Sequence, residues 1–298
     1  MSSQSNGFAR SAIRRLFRLS VVVCVLGIGG LVVARGSAPF LPYARAAAAD
    51  LKQGVVIKDS SLLEISGCAV SARNRGAIWV HNDSGDQANL YAIRLADGEL
   101  LATVRLSGVE ARDWEDMALR DGRLWVGDIG DNAGSRSSVS ILSVAEPSLN
   151  LAKTKQKVTL KPVSSSWTYP SGARDAEAMI IDPQGTPTII DKVDGTVWAA
   201  SGEGDKLTKV ASLGVALITG ADLIPDGSGV LIRTYPFVFR YRVAQAKPFS
   251  SVWADAPVTI PAPLLPQAEA VCVSPDNQSG YTISESRGRA VRLVPIRW

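Results

Sequence analysis

Of histidine, cysteine and methionine, the 298 residues contain one, three and three. With His81 alone, a zinc site built on several histidines is excluded, as is catalysis by paired histidines. Three cysteines are too few to staple a scaffold of this size, and none stands at a metal-ligand spacing. Cys24 lies in an apolar leader, which leaves Cys68 and Cys272 for the body. There is no Gly-x-Ser-x-Gly elbow, no phosphate-cradling glycine loop and no paired-carboxylate signature. No segment of the body has a helical apolar period. Acid is absent from residues 1–49, which hold Arg10, Arg14, Arg15, Arg18, Arg35 and Arg45. Those arginines outweigh the whole chain's surplus of +4, so the body is net acidic. Without a basic stripe to follow phosphates, no nucleic-acid partner is expected.

What the chain does have begins with that leader. The apolar run Leu19–Ala34 has sixteen residues, short of the roughly 20 a spanning helix needs and long enough for a signal segment. Arg14-Arg15-Leu16-Phe17-Arg18-Leu19 resembles the twin-arginine export signal. Cleavage after Val32-Val33-Ala34 or Ala44-Arg45-Ala46 would release the body. A retained anchor with its arginines in the cytoplasm is the alternative. Either way the body is expected outside the cytoplasmic membrane, touching it only through this N-terminal segment. Residues 1–34 are thus read as signal or anchor, 35–53 as linker and 54–298 as the folded domain.

That domain is organised by a repeat. Ala-Arg-Asp-Trp-Glu-Asp-Met-Ala-Leu at Ala111–Leu119 returns as Ala-Arg-Asp-Ala-Glu-Ala-Met-Ile-Ile at Ala173–Ile181 and as Pro-Gln-Ala-Glu-Ala-Val-Cys-Val at Pro266–Val273. Weaker copies stand at Glu64–Val70 and Ile218–Ile224. Alignment puts Ser66, Glu115, Glu177, Thr219 and Glu269 in one column, at spacings of 49, 62, 42 and 50 residues. Each copy offers short β-branched and aromatic runs separated by turn residues, and four such strands per 40–50 residues read as a β-propeller blade. Fourth strands are expected near Leu100–Leu106, Val158–Leu160, Leu207–Leu213 and Val258–Ile260. The extra length in Glu146–Pro170 is expected to be a surface loop. The fifth copy ends after three strands, and Val55–Ile57 is expected to pair near Val291–Leu293 and supply its outer strand. The fold class is therefore all-β, a single propeller of five four-stranded blades closed by an N-terminal strand. A sixth blade has no sequence to build it.

The runs His81-Asn82-Asp83-Ser84-Gly85-Asp86, Arg112-Asp113-Trp114-Glu115-Asp116 and Gly127-Asp128-Ile129-Gly130-Asp131-Asn132 resemble a group of exported bacterial β-propeller proteins, mostly uncharacterised. More loosely, the blade openings are similar to the gluconolactonase-like and esterase-like phytase propellers. Their chemistry is metal-assisted hydrolysis, and no catalytic residue transfers from that likeness.

In a propeller the first strands line the channel. The column residues then converge at one mouth, together with the loops between second and third strands. Those loops hold Asp83, Asp86, Asp128 and Asp131, an Asp-x-Gly-Asp in each of two adjacent blades, which are the candidate metal ligands. Such oxygen-rich loops suit Ca²⁺, and they are also ordinary turn chemistry. Arg112, Asp113, Glu115, Arg174, Asp175, Glu177, Lys192, Arg233, Glu269 and Glu285 are the candidate ligand-binding residues, with the cations placed to hold an anionic group. The alternative for the Arg-Asp pairs is a structural bridge between blades. His81 is expected to bond a loop carbonyl, with a general base as the alternative. Trp114 is expected in the core, or else as the floor of a pocket. The expected function is binding of a ligand or envelope protein at an acidic channel mouth, by a monomer. A metal-dependent hydrolase of a phosphoester, lactone or glycan at the same face is the alternative. Cys68 stands two places after its column residue and Cys272 three. Alternation points them to opposite strand faces, and two buried free thiols are expected.

Overall fold

Turn residues at close intervals convert each repeat into an antiparallel meander. At Arg120–Arg123 the pair Asp121-Gly122 takes positive φ (49° and 70°) between directly paired neighbours. That is a tight two-residue hairpin whose backbone suits glycine. The computed structural model describes residues 54–298 apart from 84, 202–203, 266 and 286–288. The expected leader, linker and Cys24 lie outside the described residues.

The strands in order are β1 (Val55–Val56), β2 (Ile65–Val70), β3 (Ala77–Asn82), β4 (Asn89–Arg94), β5 (Leu100–Leu106), β6 (Trp114–Arg120), β7 (Arg123–Asp128) and β8 (Val139–Ala145). Next come β9 (Gln156–Leu160), β10 (Val163–Trp167), β11 (Ala176–Ile181), β12 (Pro187–Asp191), β13 (Thr196–Ala199) and β14 (Thr208–Ser212). The last are β15 (Ile218–Leu223), β16 (Gly229–Thr234), β17 (Val238–Arg242), β18 (Val258–Ile260), β19 (Ala268–Val273), β20 (Ser279–Ser284) and β21 (Arg292–Arg297). They form five sheets, each opening on β2, β6, β11, β15 or β19. These first strands pack side by side in that order, and β19 returns to β2, so the five blades form a ring. The fold is a five-bladed β-propeller. In the last sheet Val55 lies opposite Leu293 and Val56 opposite Arg292, which makes β1 its outermost strand.

Two expectations about the second blade are corrected. Val158–Leu160 is not its fourth strand. That segment belongs to β9, which runs parallel to β5 as a fifth strand of the first blade. Glu146–Pro170 is not a plain loop either, because the chain returns from β9 to pair β10 with β8. The excursion is fixed by Glu146, whose buried carboxylate accepts hydrogen bonds from the Ser71 hydroxyl, Trp79 Nε1 (2.9 Å) and the Arg73 amide (3.1 Å), all in the first blade. A carboxylate so enclosed is stable only when its oxygens are satisfied.

Apolar clusters fill the spaces between neighbouring blades. Trp79, Leu90 and Leu106 of the first meet Met117 and Leu124 of the second. Trp198 and Met179 of the third meet Ile129 and Ile141 of the second. Each buried leucine or isoleucine contributes roughly 1.5–3 kcal/mol. Trp114 is in the core, not a pocket floor, and Cys68 and Cys272 are buried and unbridged.

Near the axis, where the first strands crowd, Asp116 joins three blades. Its Oδ1 accepts the Met117 amide (2.8 Å), and its Oδ2 accepts the amides of Met179 and Ala221 (both 2.9 Å). Asp222 repeats the device on a smaller scale, accepting Leu223 and Val273 amides at 2.8 Å each. Removing the acceptor would leave three buried donors unsatisfied, each costing about 1–3 kcal/mol. Asp116→Ala is therefore expected to destabilise the protein by at least about 3 kcal/mol, with Asp116→Asn, which keeps one oxygen, in between. Urea unfolding measures both, and a loss below about 1 kcal/mol for the alanine variant would contradict this role.

Candidate functional site

The column residues owe their exposure to the channel to a backbone irregularity shared by all five blades. The pairing of first and second strands shifts between Ile65 and Gly67, Trp114 and Asp116, Ala176 and Ala178, Ile218 and Gly220, and Ala268 and Ala270. The extra residue in each is the column residue: Ser66, Glu115, Glu177, Thr219 or Glu269. A bulge of this kind re-aims its side chain out of the pleat. Ser66 and Thr219 use that freedom structurally. Ser66 Oγ donates to the Glu115 carbonyl (2.6 Å), and Thr219 Oγ1 to the Ala268 carbonyl (2.7 Å). The three glutamates place carboxylates in the mouth, where all are buried.

Asp83, Asp113 and Glu115 form one cluster. One oxygen from each lies within 4.8 Å of the others. Asp83 follows β3, whereas Asp113 and Glu115 stand at the start of β6. Gly130 closes over them, and a Cβ there would fall 2.2 Å from Glu115 Oε1 and 2.8 Å from Asp113. A larger residue at Gly130 would displace those carboxylate ends. Burial, followed by the charges of Glu177, Asp83 and Asp113, raises the Glu115 pKa well above the ordinary range.

The other expected metal ligands serve the loops instead. Asp86 accepts the Tyr91 hydroxyl (2.7 Å) and Asn82 Nδ2 (3.0 Å). Asp128 pairs with Arg136 at 2.7 Å. Asp131 accepts the amides of Ser135 (3.0 Å) and Arg136 (2.7 Å), fixing the turn. Asp175 accepts the Asp131 amide at 2.9 Å and so bridges the second and third blades. Arg112 is exposed. Arg174 turns to Asp191 (3.3 Å) and Asp194 (3.2 Å) and lies over the Trp198 ring. His81 is buried, with Nδ1 at 2.9 Å from the Asn82 carbonyl and its ring edge-on to Trp114. Burial lowers its pKa, which fits the structural role.

Across the channel the mouth carries cations. Lys192 pairs with Glu177. Burial works against its ammonium, but Glu177, Tyr235 and Glu269 together hold the pKa above the ordinary lysine value. Burial pushes Glu177 up to about 8, with Lys192 pulling the other way. Arg233 is 0% exposed. Its Nη2 donates to the Pro263 carbonyl at 3.3 Å, while Nε and Nη1 find no hydrogen-bond partner among the described residues. Desolvation lowers its pKa to about 9, opposed by Glu269. Gln267 Nε2 donates to Glu285 (2.7 Å) and Glu269 (3.3 Å). Sequence reasoning missed Tyr235, Gln267 and Gly130. Position two residues after Arg233 in a mouth loop was the signal for Tyr235.

Exposed apolar side chains ring this face. Leu63, Val193, Phe237 and Leu264 stand in loops that open at the mouth, and the rings of Phe237 and Phe239 lie 5.9 Å apart. The far end of the channel differs. There the ends of the first strands enclose about 200 Å³, lined mostly by apolar residues such as Val70, Leu119, Ile181, Leu223 and Val273.

No family model and no curated protein matches this sequence. Among solved structures, similar chains include the PQQ-bound aldose sugar dehydrogenase of Streptomyces coelicolor, at 11% identity and a TM-score of 0.49, over 82% of this chain and 96% of that one. U3-55K is similar at 10% identity and a TM-score of 0.44, over 82% and 98%. The WD40 repeats of RRP9 are similar at 11% and 0.44, over 82% and 97%. All are likenesses of fold.

The raised pKa of Glu177 has a pH consequence. The folded state keeps a proton that the unfolded chain, with an ordinary value near 4.5, has already released. The stabilisation is complete below about pH 4 and is lost as pH rises through about 8. Asp222, raised to about 7 by burial, acts in the same direction. His81, lowered by burial, opposes them below its ordinary 6.5. Urea midpoints are thus expected to fall between pH 6.5 and 8.5, and Glu177→Gln should flatten that slope. An unchanged slope in the variant would show that Glu177 is not the titrating group.

Proposed function

We propose that this propeller is a binding protein whose mouth takes a divalent cation, Ca²⁺ by donor chemistry, together with an anionic ligand. The observation that carries this reading is the convergence of Asp83, Asp113 and Glu115 under Gly130. Like charges brought together raise one another's pKa, and a hard cation relieves that repulsion. Ca²⁺ favours six to eight oxygens, which carboxylates, carbonyls and the ligand's own oxygens would supply. Support for the anionic ligand comes from the opposite wall, where Lys192 and the incompletely bonded guanidinium of Arg233 stand. The apolar loop residues Leu63, Val193, Phe237 and Leu264 favour binding over hydrolysis, because they offer contact area around the charged centre. Export or membrane anchoring through the arginine-bearing leader would put this face outside the cytoplasmic membrane, where a partner would be an envelope molecule.

The test is thermal unfolding with Ca²⁺ and with chelator. At a Ca²⁺ concentration about 100 times Kd the fold should gain about 2.7 kcal/mol, a rise of several degrees in Tm. Asp113→Asn and Glu115→Gln should abolish the Ca²⁺-dependent part while folding normally in chelator. Equal midpoints with Ca²⁺ and chelator would leave the cluster a purely structural feature.

A further inference from the structure

Two thiols of the body meet at the seam of the ring. The seam is where the last blade, built on β19, packs against the first, built on β2. The last blade takes β1 from the opposite end of the described chain as its outer strand. Cys272 in β19 and Cys68 in β2 are both 0% exposed.

The other blade junctions show where these side chains point. A residue one or three places after the column reaches the following blade. Asp116 Oδ2 accepts the Met179 amide, and Asp222 Oδ2 the Val273 amide. Residues two or four places after the column face the preceding blade, because strand side chains alternate. Cys272 is three places after Glu269 and faces the first blade. Cys68 is two places after Ser66 and faces the last. Opposite faces of two neighbouring sheets are one shared space. The expected opposite strand faces therefore bring the two thiols, buried and unbridged, toward one another rather than apart. Both sit in one apolar cluster with Ile65, Ile78 and Leu293, and the Cys68 thiol is within hydrogen-bonding reach of the Cys272 sulfur. First strands approach one another closely. A Cβ on Gly220 would lie 3.5 Å from Ala270 Cα at the neighbouring junction, so side chains facing one another across such a junction are in contact.

We propose that Cys68 and Cys272 are a redox lock, a thiol pair that closes into a disulfide joining the first and last blades. Each thiol gives up its proton and one S–S bond forms. The electron pair passes to the disulfide of an external dithiol–disulfide oxidant, which is reduced to two thiols through a mixed-disulfide intermediate. The folded seam shields both sulfurs, so the lock closes while the seam is forming or transiently open. Once closed it spans about two hundred residues of chain, which restricts the unfolded state. It also holds together the one junction between blades that are not consecutive in sequence.

The test is refolding of the full chain carrying Cys24→Ser, with oxidised glutathione or with dithiothreitol. The denatured, unreduced product is then weighed by mass spectrometry. With oxidised glutathione the mass should fall by two hydrogens, and proteolysis should yield one peptide pair joined through Cys68 and Cys272. The oxidised form should unfold at a higher urea concentration than the reduced form, and Cys68→Ala and Cys272→Ala should lose that difference. Should those variants fail to fold, the comparison of oxidised and reduced Cys24→Ser protein decides alone. Two free thiols after oxidative refolding, or a separate glutathione adduct on each, would overturn the lock. A bridge that leaves the urea midpoint unchanged would overturn its stabilising role.

Discussion

A carboxylate buried at the axis of the ring is the constraint around which this protein is built. Five first strands converging on one channel crowd their backbones, and small residues normally follow the column for that reason. Gly67 and Gly220 are such cases: a Cβ on either would overlap the next strand, 2.8 Å from the Met117 nitrogen or 2.7 Å from the Glu269 carbonyl. Asp116 occupies the same position in the second blade, yet it is buried completely. It fits because its oxygens take amides on the open inner edges of the first strands of the next two blades, where no further strand pairs with them. Burial raises its pKa well above the ordinary range while those amides pull it down. An apolar residue of that size would fill the space and leave three donors unmet.

The bulges link that constraint to the mouth. Pairing that shifts at the column residue turns its side chain toward the channel, while the open inner edges of the same strands present the amides that Asp116 and Asp222 collect. The first strands thus carry both a structural tie and the column groups that line the channel. Where the column residue is Ser or Thr, the hydroxyl bonds the next blade. Where it is Glu, the longer side chain carries its carboxyl group into the mouth.

The repeat was legible in the sequence because strand runs and turn residues recur at a period set by the blade itself. Glu115, Glu177 and Glu269 gave away the column for the same reason. The bulges were not legible, since an extra residue in a strand leaves no mark on alternation until its partner is known. β9 was misassigned to its own blade because Val158–Leu160 has the residue types of a fourth strand. Its placement depends on Glu146 reaching Ser71 and Trp79, a contact between positions far apart in sequence. The site was half legible. Asp83, Asp113 and Glu115 do come together, whereas Asp86, Asp128 and Asp131 spend their oxygens on hydrogen bonds that shape the loops. Asp-x-Gly-Asp spacing is the same for a ligand loop and for a tight turn, so spacing alone could not separate them.

Departure from five-fold repetition is what gives the mouth its chemistry. A symmetric ring of five glutamates would repel itself and offer the same surface in every direction. Here Ser66 and Thr219 remove two charges, Lys192 answers Glu177, and Arg233 enters beside Glu269. Oxygen donors collect on the side of the first two blades and cations on the side of the third and fourth. In the proposed reading, a ligand that bridges the two walls would carry an anionic group toward Lys192 and Arg233 and oxygens toward the acidic cluster, with a cation between the two sets of oxygens. Electrostatics of this kind fix orientation more than affinity. Exposed Val193, Phe237 and Leu264 stand on the cationic side and Leu63 on the acidic side, so apolar surface borders both walls.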